Sequence, residues 1–367
     1  MAHIVLNREK LEDNYKYLND SFSELDIEWG VVSKVFCGDK TFLNEILRLG
    51  VRQICDARIT NLKTVKSLDP SIETVFIKPP AKRYIPSVVK FADVSFNTEY
   101  ATIKMLSDEA VKQNKTHKII IMVELGELRE GVMRDDVIDF YEKVFTLPNI
   151  EVRGLGTNLT CMYGVLPSQD KLLQLCLYAQ LIEAKFNKVI PFISGGSSVT
   201  IPLIAKGLLP RDINHFRVGE TLFLGTDVYN SKPNEKMHQD VFKLYAEIIE
   251  LREKPSVPDG DLGQNLTGDV LEFEGKENST SYRAIIDVGL LDVEDSHITP
   301  TDSSVEIVGS SSDMMVVDLG DSSGKYKVGS HIEFDLDYMG ILRLMNCDYV
   351  DKRVEIPREK VIEEKVL

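Results

Sequence analysis

Between residues 27 and 219 short runs of apolar and β-branched residues alternate with longer stretches of helical periodicity, so strands and helices are expected in turn. The runs are IEWGVVS (27–33), VRQIC (51–55), ETVFIK (73–78), DVSFN (93–97), KIIIMVEL (118–125), VRGLGTNL (152–159), VIPFIS (189–194) and INHFRVG (213–219). They recur every ~27 residues, which suits a closed (β/α)8 TIM-like barrel of roughly 200–250 residues. An open, doubly wound parallel sheet is the second reading. Phe42, Ile46 and Leu49 mark one helix, with Gly50 as its stop. Before the first barrel strand, Asn7 is placed to cap a helix with an apolar stripe of Leu11, Tyr15 and Leu18. After about residue 235 the pattern changes: YAEIIEL, YRAIIDVG, VEIVGSSS, MMVVDLG and HIEFDLDY read as strands between Gly, Asp, Ser and Pro. The expected organisation is α/β: a barrel over residues 7–234 and a C-terminal, mainly-β domain over 235–367, joined by an N-terminal strand over 1–6. Residues 254–275 read as a loop within that domain.

A chain of 367 residues exceeds what one core supports, in keeping with two domains. The 43 Lys+Arg against 58 Asp+Glu give a net charge of −15, which repels phosphate backbones and anionic membranes and turns attention to small molecules. No apolar run approaches the ~18–20 residues of a membrane span, and the N-terminus turns polar at once, so a cytoplasmic protein is expected. The five cysteines, at 37, 55, 161, 176 and 347, are scattered without a CxxC pair; neither a disulfide framework nor a metal site is expected.

In such a barrel the reacting groups sit where strands end. Lys34 closes the first run, and flanking Val32, Val35 and Phe36 would partly desolvate it and favour a nucleophilic amine; alone it also reads as a lysine reaching for solvent. ISGGSSVT (193–200) has the make-up of an anion cradle, with glycines for close approach and Ser197 and Ser198 as donors, although SGG also makes ordinary turns. Arg217 lies within the last apolar run, where a buried guanidinium needs an anion or another acceptor. VELGELREGV (123–132) places Arg129 beyond the fifth strand. His215 and the other histidines show no paired spacing and read as satisfied core or surface residues.

Together, SKVFCGD, DARITNL, GLGTNLTC, ISGGSS, NHFRVGE, EKPSVP and GSSSDMMVVD, in this order, resemble the alanine racemase-like, fold type III group of pyridoxal 5′-phosphate enzymes, and within it the alanine/ornithine racemase subfamily. The resemblance implies an amino-acid racemase with Lys34 holding the cofactor as a Schiff base and serving as base on one face. It implies that Arg217 bonds the pyridine nitrogen and keeps it unprotonated, favouring racemisation over transamination or decarboxylation. Ser194, Gly195, Gly196 and Ser197, with Gly219 and Glu220, would cradle the phosphate. Asn158 would join the cofactor contacts, and Arg129 would lie near the phenolate oxygen and the substrate carboxylate. A head-to-tail homodimer is implied, its β domain closing the partner's site.

Two departures bear on the chemistry. Racemisation needs a proton donor on the face opposite Lys34; the family places a tyrosine there, where this chain has Leu290 in GLLDV. Tyr338, Asp313, Ser311 and Tyr349 are the replacements considered. Ser197 stands where the subfamily has asparagine, and Leu290 and Leu291 replace a polar pair, favouring a neutral amino acid over ornithine. A decarboxylase or aldolase on the same scaffold, or a non-catalytic cofactor carrier, are the alternative functions.

Overall fold

The computed structural model describes residues 2–264, 268 and 279–357. The strands over the first part of the chain are β1 (His3–Asn7), β2 (Glu28–Val32), β3 (Gln53–Asp56), β4 (Glu73–Phe76), β5 (Val94–Asn97), β6 (His117–Met122), β7 (Ile150–Gly156), β8 (Phe192–Ser194), β9 (Gly196–Ser197) and β10 (His215–Val218). The main helices among them are α1 (Arg8–Ser23), α2 (Lys40–Arg48), α3 (Ile59–Leu68), α4 (Ile85–Phe91), α5 (Tyr100–Lys112), α6 (Val137–Val144), α7 (Gln169–Phe186), α8 (Pro202–Ala205) and α9 (Glu220–Leu224). Strands β2 to β10 make one parallel sheet in the order β8-β7-β6-β5-β4-β3-β2-β10-β9. Because only Gly195 separates β8 from β9, one chain segment serves both ends of that order and closes a barrel.

All eight runs fall on barrel strands, and the open-sheet reading is set aside. The periodicity has a direct cause: Val32, Cys55, Val75, Val94, Phe96, Ile120, Met122 and Phe192 pack together inside the barrel, while Ile59, Leu62, Phe76, Val88, Leu106 and Ala110 pack strand against helix outside it. A strand buried on both faces reads as continuous apolar sequence. Leu11 and Leu18 of α1 are buried as the stripe required, but Asn7 ends β1 and its amide donates to Glu355 at 2.7 Å. Asp39 caps α2 by accepting from the Phe42 N–H, and Gly50 takes the left-handed conformation (φ +72°) at its end.

Contacts divide the chain into Glu9–Gln239 and a second unit of Met1–Arg8 with Asp240–Leu367. Both boundaries lie a few residues beyond those read from the sequence. The shift at 235–239 has a physical reason: the Asn14 amide donates to His238 O at 2.9 Å and accepts from its N–H at 2.8 Å, tying that segment to α1. A two-stranded hairpin, β11 (Thr226–Asp227) with β12 (Lys232–Pro233), precedes it.

The second unit contains β13 (Phe242–Pro255), β14 (Thr280–Ile286), β15 (Ile298–Pro300), β16 (Glu306–Ser310), β17 (Met315–Asp318), β18 (His331–Leu336), α10 (Tyr338–Met345) and β19 (Asp351–Glu355). Strand β1 runs antiparallel to β13 and parallel to β19, so the N-terminus is part of this sheet. Alternate residues of β13, Phe242, Leu244, Ala246 and Ile248, are buried, the period-two pattern of a sheet with one covered face. Residues 265–267 and 269–275 of the expected loop lie outside the described residues.

Two histidines inside the barrel unit predict acid sensitivity. Burial pushes the pKa of His117 down to about 4 and that of His215 down to about 3 from the ordinary 6.5. A folded-state value below the unfolded one means that unfolding takes up protons, so their contribution is complete above pH 6.5 and is lost as the pH falls. Each should cost about 2–3 kcal/mol by pH 4.5. The melting temperature should already fall between pH 6.5 and 5, before ordinary carboxylates titrate; a flat profile there would contradict the assignment.

Candidate active site

The C-terminal ends of β2, β9 and β10 adjoin one another. Arg217 pairs with Gly30 and Val218 with Val31 across β10 and β2, while Arg217 pairs with Ser197 across β10 and β9. The turns that follow therefore lie side by side. A Cβ on Gly219 would come within 3.1 Å of Val32 O, two residues before Lys34, so a side chain there would press on that strand end. Lys34 itself begins a short 3₁₀ turn and is exposed. This corrects the expectation of an amine desolvated by its neighbours: Val32, Val35 and Phe36 are buried, the latter two completely, and the turn leaves Lys34 at the surface. Its strand end is fixed by Ser33, whose N–H donates to Cys55 O at 2.9 Å and whose hydroxyl donates to Asp56 at 3.0 Å.

Two strand-to-helix turns meet here. Ser197 and Thr200 form a capping box, and the Ser198 hydroxyl accepts from the Thr221 N–H at 3.3 Å, linking the turn before α8 to the start of α9. Both serine hydroxyls act as acceptors of backbone N–H and so have their own protons to donate to an anion. That donor set, with Gly219 and Glu220 alongside, fits a phosphate. Gly195 and Gly196 have a packing reason to be glycine, since a Cβ would meet Ile213 at 2.8 Å or the Phe216 ring at 2.2 Å.

Ser194 departs from its expected place in the cradle. It is fully buried, and its hydroxyl accepts from Arg217 Nη1 at 2.5 Å and meets His215 Nδ1 at 2.6 Å. Side chains alternate across a strand, so Ser194 faces the barrel interior while the cradle forms beyond it. Arg217 also donates from Nη1 to Ser194 O (3.0 Å) and from Nη2 to Thr157 O (2.8 Å), and lies over the Phe96 ring. These acceptors are neutral, so this buried guanidinium is not held by a carboxylate, and burial pushes its pKa down. The bonds leave part of its N–H edge for a further acceptor.

Beyond β6 the chain makes an excursion and returns: the Glu124 N–H donates to Val132 O at 3.0 Å and the Val132 N–H to Met122 O at 2.8 Å. Gly131 permits this closure, with φ +156° and no room for a Cβ beside Glu124 N. The excursion carries Arg129, paired with Glu130 through two N–H donors. Asn158, with its amide oxygen turned to the guanidinium, accepts from both Nη atoms at 3.2 Å, so its position is that of a support for Arg129. Glu127, missed in the sequence, accepts from the N–H groups of Thr160, Met162, Tyr163 and Val165 and so shapes the neighbouring loop. Burial pushes its pKa up, but the four donors outweigh this and hold it below the ordinary value. No local pattern marked it, because its four partners lie 33–38 residues along the chain.

A model of the alanine racemase N-terminal domain matches residues 6–227. The chain belongs to the alanine racemase family. Its similarity to an ornithine racemase of Acetoanaerobium sticklandii is 37% identity over 96% of this chain and 99% of that protein. A lysine racemase of Thermotoga maritima is 28% identical over 96% of this chain and 98% of its own length. Among solved structures, the alanine racemase of Bartonella henselae with covalently bound pyridoxal phosphate superposes with a TM-score of 0.72, covering 96% of this chain and 99% of that one at 16% identity. That likeness is one of fold.

Against the family's pattern, the second unit carries the other named residues. Leu290 is half-buried and Leu291 is 75% exposed. Their N–H groups donate to Ser311 O and Ser312 O at 3.0 and 2.8 Å, so GLLDV lies directly against SSSDMM. Asp313 is exposed in that turn and accepts from the Ser312 hydroxyl. Tyr338 is half-buried at the start of α10, Ser311 is exposed, and Tyr349 is 85% exposed in the turn beyond the end of that helix. Among the described residues no cluster of side chains is suited to hold a metal ion, and no helix is long and apolar enough to cross a membrane.

Proposed function

We propose that this chain racemises a diamino acid of the ornithine or lysine type with pyridoxal 5′-phosphate as cofactor, in the cytoplasm and as a head-to-tail homodimer. Amino-acid racemisation is supported by family membership and by two relatives, matched over 96% of the chain, that are named as racemases. The observation that carries the cofactor is the meeting of Lys34, the paired turns at Ser197 and Gly219, and Arg217 at three adjoining strand ends. Bound there, the cofactor would supply an electron sink that acidifies the amino acid's Cα–H.

The chain's own residues then have separate tasks. Lys34 would anchor the cofactor and take the Cα proton on one face. Gly196, Ser197, Gly219 and Glu220 would hold the phosphate, with Ser194 and Gly195 supporting the turn from within. Arg217 would donate to the ring nitrogen and, permanently charged, oppose its protonation. Arg129, oriented by Glu130 and Asn158, would receive the substrate carboxylate. Asp313 is the preferred opposite-face acid over Tyr338, because its turn lies against Leu290, the position of the family's tyrosine. A net charge of −15 draws in a cationic substrate. Both relatives are named for diamino acids, which moves the substrate class away from the neutral amino acids favoured by the leucine pair.

Incubation with single L-amino acids in deuterated water, recording Cα exchange and chirality, tests this reading. Ornithine or lysine should show exchange and inversion together, and Asp313→Asn should retain exchange while inversion falls ~10-fold or more. Release of carbon dioxide or of an aldehyde would favour the decarboxylase or aldolase alternative, and absence of turnover with any amino acid would favour the carrier.

A further inference from the structure

The barrel interior contains a chain of polar side chains that leads from Arg217 and Ser194 to residues the proposed chemistry leaves unused, His215, Gln53 and Glu73. From Arg217 it passes to the Ser194 hydroxyl (2.5 Å), then to His215 Nδ1 (2.6 Å). It continues from His215 Nε2 to Gln53 Oε1 (2.9 Å) and from Gln53 Nε2 to Glu73 (2.8 Å). Ser194, His215 and Arg217 are buried, as is Gln53. Gly30 makes room for it, since a Cβ there would come within 2.5 Å of Gln53 Oε1.

The direction of every bond follows from the two ends. A guanidinium can only donate and a carboxylate, when ionised, can only accept. Glu73 therefore takes the Gln53 amide N–H, which turns Gln53 Oε1 to His215 and requires the proton on His215 Nε2. Nδ1 is then an acceptor, the Ser194 O–H donates to it, and the Ser194 oxygen is left to accept from Arg217. A cationic ring would donate from Nδ1 to Ser194 and leave the serine proton without an acceptor in the chain, whereas neutral His215 satisfies every member, and burial beside Arg217 and Arg153 holds it in that state. A linked, fully satisfied buried network is also stiffer than its separate bonds.

We propose that His215 is a positioning residue: it fixes the Ser194 hydroxyl as an acceptor and so sets the angle at which Arg217 presents its remaining N–H edge to a cofactor ring nitrogen. This rests on the reading of Arg217 given above. His215 touches neither substrate nor cofactor. It acts only through Ser194, so its effect must depend on the ring nitrogen and be absent when that atom is replaced.

Cofactor-free protein should be titrated with pyridoxal 5′-phosphate and with its 1-deaza analogue, in which C–H replaces the ring nitrogen, and the ratio of the two dissociation constants recorded. Wild type should prefer the natural cofactor. H215L removes both ring bonds, and H215Q keeps the donor to Gln53 but loses the acceptor at the Nδ1 position. Both should reduce the preference about tenfold, the equivalent of ~1.4 kcal/mol, by weakening natural cofactor alone. H215N, whose Oδ1 occupies the Nδ1 position, should restore most of that loss. A packing role would weaken both ligands together and would not separate H215N from H215Q. Should H215L fail to fold, Q53M, which frees the His215 tautomer, should lower the preference in the same direction. Unchanged preference in the folded variants would overturn the proposal alone, whereas a wild type that binds neither ligand would overturn the functional reading with it.

Discussion

Replacing Lys34 by alanine should lower racemisation by on the order of 10⁴-fold, the combined loss of a covalent anchor and a positioned base. The same change should leave the melting temperature within ~2 °C of wild type, because an exposed side chain contributes little to packing. Its backbone is held independently, by the Ser33 bonds to Cys55 and Asp56. Lys34→Arg should be as inactive as the alanine variant, since a guanidinium keeps the charge but is permanently protonated. Borohydride reduction, followed by mass measurement of the intact chain, checks the anchor directly: the cofactor should become fixed to wild type and to neither variant. Normal racemisation by Lys34→Ala would remove the basis of the whole mechanism. Exposure of Lys34 makes this test clean, as loss of activity cannot be attributed to a collapsed core.

Arg217→Met should have the second largest effect, and on two quantities. It strips donors from three acceptors, Ser194 O, the Ser194 hydroxyl and Thr157 O, each inside the barrel. Ser194 O keeps the Thr157 N–H at 3.1 Å and the Ser194 hydroxyl keeps His215, so the cost falls mainly on Thr157 O, an unsatisfied buried acceptor costing ~1–3 kcal/mol. The loss is partly offset because the variant no longer buries a guanidinium without a carboxylate partner, the circumstance that pushes the arginine's pKa down. A net destabilisation of about 2 kcal/mol is therefore expected. Racemisation should fall by about 10²-fold as the donor to the ring nitrogen is lost. A larger share of the remaining turnover should be transamination, because an unopposed ring nitrogen takes up a proton. Denaturant unfolding and product analysis measure the two effects separately. A variant with wild-type product distribution would show that Arg217 is structural only.

Much of the barrel was legible because its strands are covered on both faces and its helices on one. IEWGVVS, KIIIMVEL and INHFRVG stand out as continuous apolar runs for that reason. The second unit was legible where alternation was long, as in β13, and not where elements were short or interrupted. The two residues of β9, the three of β15 and the five of β19 carry no period of their own, and α10 follows directly on a strand-like run at Tyr338. Lys34, Arg129 and Arg217 could be picked out as charges at the ends of, or within, apolar runs. Glu127, Thr157, Gln53 and the use made of His215 could not, because their partners lie far along the chain: Gln53 and His215 are 162 residues apart.

The order of apolar runs and the placing of single charges along them were sufficient to specify a barrel, a trailing sheet and the residue types at the strand ends. Which hydroxyl turns inward, which amine stays at the surface and which carbonyls hold Arg217 depended on closure of the barrel. Those contacts join strands that neighbour one another only after the sheet has curled round, and no local pattern in the chain records the distance between them.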